Sequence, residues 1–157
     1  MQIINGHLQQ EGSQYRAGLT VDHGAADGSK ALRIDLSRAY PDPTLTRFER
    51  KLMLSPDGDL QIADDFGFSK SPAALQEVFP TYLPCEAEGD GVLIGGSGGM
   101  ILKSKQPGNF VVELHEVDSP CAPEDKMLRR IVFTPASLES RMLLTFKLQP
   151  GICIGNY

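Results

Sequence analysis

Histidine and cysteine, three of each, are the scarcest residues able to do acid–base or metal chemistry here, and His7, His23 and His115 lie far apart in the chain. A metal centre needs two or three imidazoles converging with a carboxylate, and no H-E-x-x-H type of spacing brings them onto one element. Asp22 precedes His23 and Glu116 follows His115, so each offers a pair in space, although a solvated surface histidine explains each more simply. Asp57-Gly58-Asp59 and Asp90-Gly91 carry the oxygen ligands calcium prefers. They lack the ligand ladder and closing Glu of an EF-hand loop, so they read as turns. Two facing carboxylates serve glycoside hydrolysis. Asp64 and Asp65 are adjacent, which on a strand turns them to opposite faces and spoils them as a couple. Asp35 and Glu77 qualify only if the fold joins them. No G-x-S-x-G elbow is present, and Gly95-Gly96-Ser97-Gly98-Gly99 leads into strand-like Met100-Ile101-Leu102-Lys103 rather than a P-loop ending. A hairpin connection is the better reading of that patch.

Cys85, Cys121 and Cys153 are odd in number and contain no C-x-x-C, so a zinc knuckle or thioredoxin-type site is unsupported. Three buried thiols are favoured over one disulfide with a free thiol, and the redox compartment stays open. Aromatic residues make up 7% of the chain, tryptophan is absent, and Tyr15, Tyr40, Tyr82 and Tyr157 are the tyrosines. That argues against a module stacking sugars on indoles, though not against a groove lined with Arg and Asn. Arg47, Arg50 and Lys51 cluster in sequence, as do Lys126, Arg129 and Arg130; solvent-facing strand residues are the favoured reading, with polyanion recognition as the alternative. From the residues, no catalytic group, metal ligand or cofactor is expected, and the substrate-binding residues are unassigned.

The elements that must position these groups are strands. Phe48, Leu52 and Leu54 share one parity within 45–54, most charges take the other, and Ser55-Pro56-Asp57-Gly58 supplies a turn. Leu60, Ile62 and Asp64 then share a face that Phe66 and Phe68 continue. Further strands are expected at 2–5, 14–21, 30–36, 59–68, 75–83, 91–94, 100–105, 109–117, 126–133 and 141–148. Helical signals are confined to single turns at 37–40, 71–74 and 137–140, and 118–125 reads as a surface loop. The class is all-β: one domain over 1–157, an antiparallel β-sandwich of about 10–11 short strands.

Apolar residues at 41% and 157 positions are enough for a real core. A net charge of −5 offers no general basic surface, so no nucleic-acid or membrane partner is expected. No apolar run approaches the roughly 20 residues of a membrane helix. The opening Met1-Gln2-Ile3-Ile4-Asn5-Gly6 does not read as a signal peptide. The expectation is therefore a protein that stays inside, or a piece of a longer exported one, periplasmic or secreted.

Three stretches taken in order resemble the C-terminal β-sandwich of the heparinase II/III-like polysaccharide lyases. Ile3-Ile4-Asn5-Gly6-His7-Leu8-Gln9-Gln10 is similar to that family's strand-and-turn, with Leu8 in place of a second glycine. Leu32-Arg33-Ile34-Asp35-Leu36-Ser37-Arg38-Ala39-Tyr40 is similar to its D-L-T-x-A-Y segment. Arg47 to Leu54 followed by Leu60-Gln61-Ile62-Ala63-Asp64-Asp65-Phe66 matches a further strand pair, with Glu77-Val78-Phe79-Pro80-Thr81 after it. The resemblance implies a supersandwich-like fold, an N-terminal helical toroid as partner, and acidic polysaccharides cleaved by β-elimination. It also implies that the catalytic Tyr and His, and the zinc-binding histidines of some members, lie outside the matching stretches. No catalytic or metal role is carried onto this sequence, His7 included. The function so implied is a non-catalytic sandwich supporting a toroid and its polysaccharide groove. The alternatives are a stand-alone carbohydrate-binding or protein-interaction module, told apart by salt-dependent glycan binding, and a small unrelated enzyme, told apart by turnover.

Overall fold

The computed structural model describes residues 1–22, 28–96, 98–118 and 127–151. The chain forms β1 (Gln2–Ile4), β2 (Gly18–Asp22), β3 (Lys30–Asp35), β4 (Leu45–Leu54), β5 (Leu60–Phe68), β6 (Leu75–Thr81), β7 (Cys85–Glu88), β8 (Gly91–Ile94), β9 (Met100–Ser104), β10 (Gly108–Glu116), β11 (Met127–Pro135) and β12 (Arg141–Pro150). A four-stranded sheet in the order β1-β6-β11-β10 packs on an eight-stranded sheet in the order β2-β3-β4-β5-β12-β9-β8-β7. All pairings are antiparallel. The all-β sandwich expected from alternation is what the chain adopts.

Local chemistry explains most of these elements. In the β4–β5 turn the Gly58 N–H donates to Ser55 O, and Gly58 takes φ 88°, the left-handed conformation its missing Cβ allows. Asn5-Gly6, with φ of 49° and 81°, folds the chain back after β1 so that Ile4 pairs with His7. Gly95–Gly99 joins β8 to β9, and a Cβ on Gly99 would stand 2.0 Å from the Ile94 carbonyl oxygen. The single helical turns expected at 37–40, 71–74 and 137–140 are absent; at the first, a turn closes with Ala39 N–H on Leu36 O at 2.9 Å. Residues 14–17 are not strand, because β2 starts at Gly18, where pairing with Asp35 begins.

The strand β7, Cys-Glu-Ala-Glu, has little intrinsic β preference and was not expected. Its pairing with β8 imposes it. The thiol of Cys85 is free and half-buried, and it donates to Leu83 O at 3.4 Å. Cys121 and Cys153 lie outside the described residues, as do His23, Ser97, Lys126 and Tyr157 and nearly all of the loop expected at 118–125.

The core lies between the sheets. Phe48 stacks on Phe66 with centroids 4.3 Å apart, and Phe146 receives Phe79 and Phe133 edge-on at 5.0 and 5.2 Å. A register shift between Leu45 and Arg47 breaks the alternation and lets Leu45 pack on this core. Because eight strands face four, the inner rows run out beyond their cover. The row Phe146–Ile62–Leu52–Leu32–Val21 begins fully buried and ends 50% exposed, and Leu19 nearby is 64% exposed.

Candidate functional site

Three charged residues sit on the apolar parity of their strands and meet between the sheets. Arg50 from β4 donates from Nε to Asp64 Oδ1 on β5 at 2.7 Å, and from Nη2 to Glu77 Oε2 on β6 at 3.1 Å. Gln2 of β1 donates from Nε2 to Glu77 Oε2 at 2.6 Å. Its Oε1 accepts from the Tyr40 hydroxyl at 2.8 Å, and that hydroxyl accepts from Gln2 N at 3.2 Å. The Met1 amine lies over the same group and donates to Val78 O at 2.9 Å. Asp64 and Glu77 are both 0% exposed.

One guanidinium here is bonded to two carboxyl groups, with the Met1 amine above them, and burial disfavours every charged form. Burial first, and the Asp64 charge second, push the Glu77 carboxyl well above its ordinary value. Its Oε1 is buried without a donor. A proton on Glu77 directed at Asp64 resolves both facts at once: it satisfies the orphan oxygen and leaves Arg50 balanced by one anion. Burial lifts the Tyr40 phenol to about 12. Burial opposes charge on Arg50, yet Asp64 and Glu77 outweigh it and hold the guanidinium protonated. Burial, with Arg50 beside it, depresses the Met1 amine. In residue type this is an acid/base pair with a cation; in access it is closed, and it ties β1, β4, β5 and β6 to the loop carrying Tyr40.

The other side of the eight-stranded sheet faces solvent and carries an ionic lattice. Asp65, turned away from Asp64, pairs with Arg47 at 2.9 Å. Arg47 and Arg33 reach Glu49 at 3.7 and 3.5 Å. Asp35 is on this outer face, its carboxyl lowered first by the Ser37 hydroxyl at 2.6 Å and then by the Ser37 N–H. The fold therefore keeps Asp35 apart from buried Glu77 and sends Arg50 inward while Arg47 and Lys51 face out. His115 meets Glu113 at 3.2 Å rather than Glu116, since residues two apart share a strand face. Arg130 joins that pair, 3.6 Å from Glu113; Arg129 turns to Tyr82 O and Met127 O. Asp59 and Asp90 close turns through Lys147 at 2.7 Å and Lys103 at 2.6 Å. Among the described residues no group of three His, Cys, Asp or Glu is placed to hold a metal ion.

The Arg50–Asp64–Glu77 cluster was missed because the residue types suggested other couples, Asp64 with Asp65 and Asp35 with Glu77. Its signal was parity: a charge at the position where the pattern demands an apolar side chain.

No family model matches the sequence, and no curated protein does. Solved structures do match. Heparan sulfate lyase HepC from Pedobacter heparinus superposes with a TM-score of 0.62 at 12% identity, over 86% of this chain and 22% of that one, and so does a mutant of it. Heparinase III with methylated lysines gives a TM-score of 0.68 at 10% identity, over 96% of this chain and 23% of that one. The fold is that of a heparinase III segment. At such identities the likeness is one of fold. This chain spans 22–23% of the length of the heparinase chains it matches, and the resemblance drawn from its three sequence stretches leads to the same proteins.

Proposed function

We propose that this chain is the non-catalytic β-sandwich of a heparinase II/III-like polysaccharide lyase, supporting a helical toroid and one wall of an acidic-polysaccharide groove. The observation that carries the reading is the match of 96% of this chain to less than a quarter of a heparinase III chain. Two features support it. The acid/base-type cluster is sealed between the sheets, where no polymer reaches it. Core rows continue into the exposed Leu19 and Val21, an apolar face of the kind that a further domain of the same protein covers.

The reading is tested first in the source DNA, which should encode a helical toroid in frame with or beside this sequence; its absence from the locus contradicts the supporting role. The second reading, a stand-alone module for acidic glycans, is favoured by the outer sheet face, where Arg33 stands opposite Lys51 and Lys147 opposite Lys103. It predicts salt-dependent glycan binding by a chain whose locus encodes no toroid.

A further inference from the structure

The outer face of the eight-stranded sheet holds a feature that its fold does not require. In register across the strands, Arg33 stands directly opposite Lys51, followed by Ala63 and then Thr145, with the Lys105 N–H on the Thr145 carbonyl at 2.8 Å. In the next row of this face Lys147 stands opposite Lys103. Five cations thus occupy two adjacent rows in a protein of net charge −5. Like charges directly opposite on neighbouring strands oppose sheet pairing. Lys147 and Lys103 are neutralised by Asp59 and Asp90 at the turns, and Arg33 shares Glu49. Lys51 and Lys105 have no carboxylate within ion-pair distance among the described residues. Between these two stand Ala63 and Thr145, small side chains of which Thr145 is 5% exposed. At about 4.8 Å per strand, Lys51 and Lys105 stand about 14 Å apart across the sheet.

We infer that this band binds a carboxylated or sulfated polysaccharide running across the strands, its anionic groups meeting Arg33, Lys51 and Lys105. The inference rests on the lyase reading for its ligand class and deepens it by naming the contact face. A narrow cationic row, bordered by Glu49 and Asp65 on the next row, fits a chain with one anion every sugar or two. It is a poor fit for a broad, phosphate-dense duplex.

The test titrates the whole chain with a heparin oligosaccharide at two salt concentrations, followed by calorimetry. Saturable, salt-sensitive binding is expected. The charge reversal R33E with K51E should weaken it about tenfold or more, while R33K with K51R retains most of it. K70E, at an exposed lysine elsewhere, should leave it unchanged. Far-ultraviolet circular dichroism of each variant confirms the sheet. Equal affinity in R33E with K51E, or no saturable binding by the wild type, overturns the band. Tighter binding of duplex DNA than of heparin at the same salt overturns the polysaccharide assignment. None of these outcomes touches lyase parentage, which fails separately if no toroid accompanies the sequence.

Discussion

Arg50 is the residue on which the charge balance of the interior turns. Among the described residues its guanidinium is the one side-chain cation bonded to the buried Asp64 and Glu77 carboxyls. Replacing it with methionine keeps the bulk and strands the acids, so a loss of about 3–5 kcal/mol is expected, read as a lower urea midpoint; an unchanged midpoint contradicts the pairing. Glu77 carries a pH dependence of definite sign. Burial, and the Asp64 charge after it, hold its folded-state carboxyl well above the ordinary glutamate value of about 4.5, so the unfolded chain releases that proton first. Stability from this site is therefore full below about pH 4.5 and falls as pH rises toward the folded value. Glu77→Gln mimics the protonated form, so the melting temperature of the variant relative to wild type should rise with pH above that point. A gap that does not vary with pH contradicts a protonated Glu77. Little of this was legible in the sequence. Parity placed Asp64 on the apolar face of its strand, but nothing in one strand says which residue of another sheet will answer it.

At the scale of elements, the turns were the most legible. Ser55-Pro56-Asp57-Gly58 folds as its residue types require, and the aromatics Phe48, Phe66 and Phe68 fall on the inner face that alternation assigned them. Two things were not legible. Alternation reports which face of a strand is buried, not which strand lies beside it, so the four-and-eight division could not be read. And β7 exists through its pairing with β8 rather than its own residues. Phe146 is where the sheets meet, touched by Phe79 and Phe133 from the opposite layer. Phe146→Ala should cost about 3–5 kcal/mol, more than a single-turn change. Gly99→Ala drives a Cβ into the Ile94 carbonyl and should cost about 1–3 kcal/mol. Thermal melts of both variants check the ranking, and a Gly99→Ala protein as stable as wild type shows that the hairpin is freer than its geometry implies.

At the scale of the whole molecule, the unequal sheets and the short coverage of larger relatives belong together. The core rows run out from under cover at Leu19 and Val21, and the chain spans 22–23% of the length of the heparinase chains it matches; on the proposed reading both follow from a unit in a larger body. The family resemblance was legible because turn residues and strand parity recur in order along the chain, even at 10–12% identity. The charge pattern of the outer face was not, since Arg33 and Lys51 become neighbours only through the β3–β4 register. The measurement that tests the proposed non-catalytic role most directly is ultraviolet absorbance from unsaturated uronates. It should be followed with the chain alone on heparan sulfate, hyaluronan and alginate. Absorbance that stays at the buffer rate on all three is expected; growth in proportion to the amount of chain contradicts the non-catalytic reading.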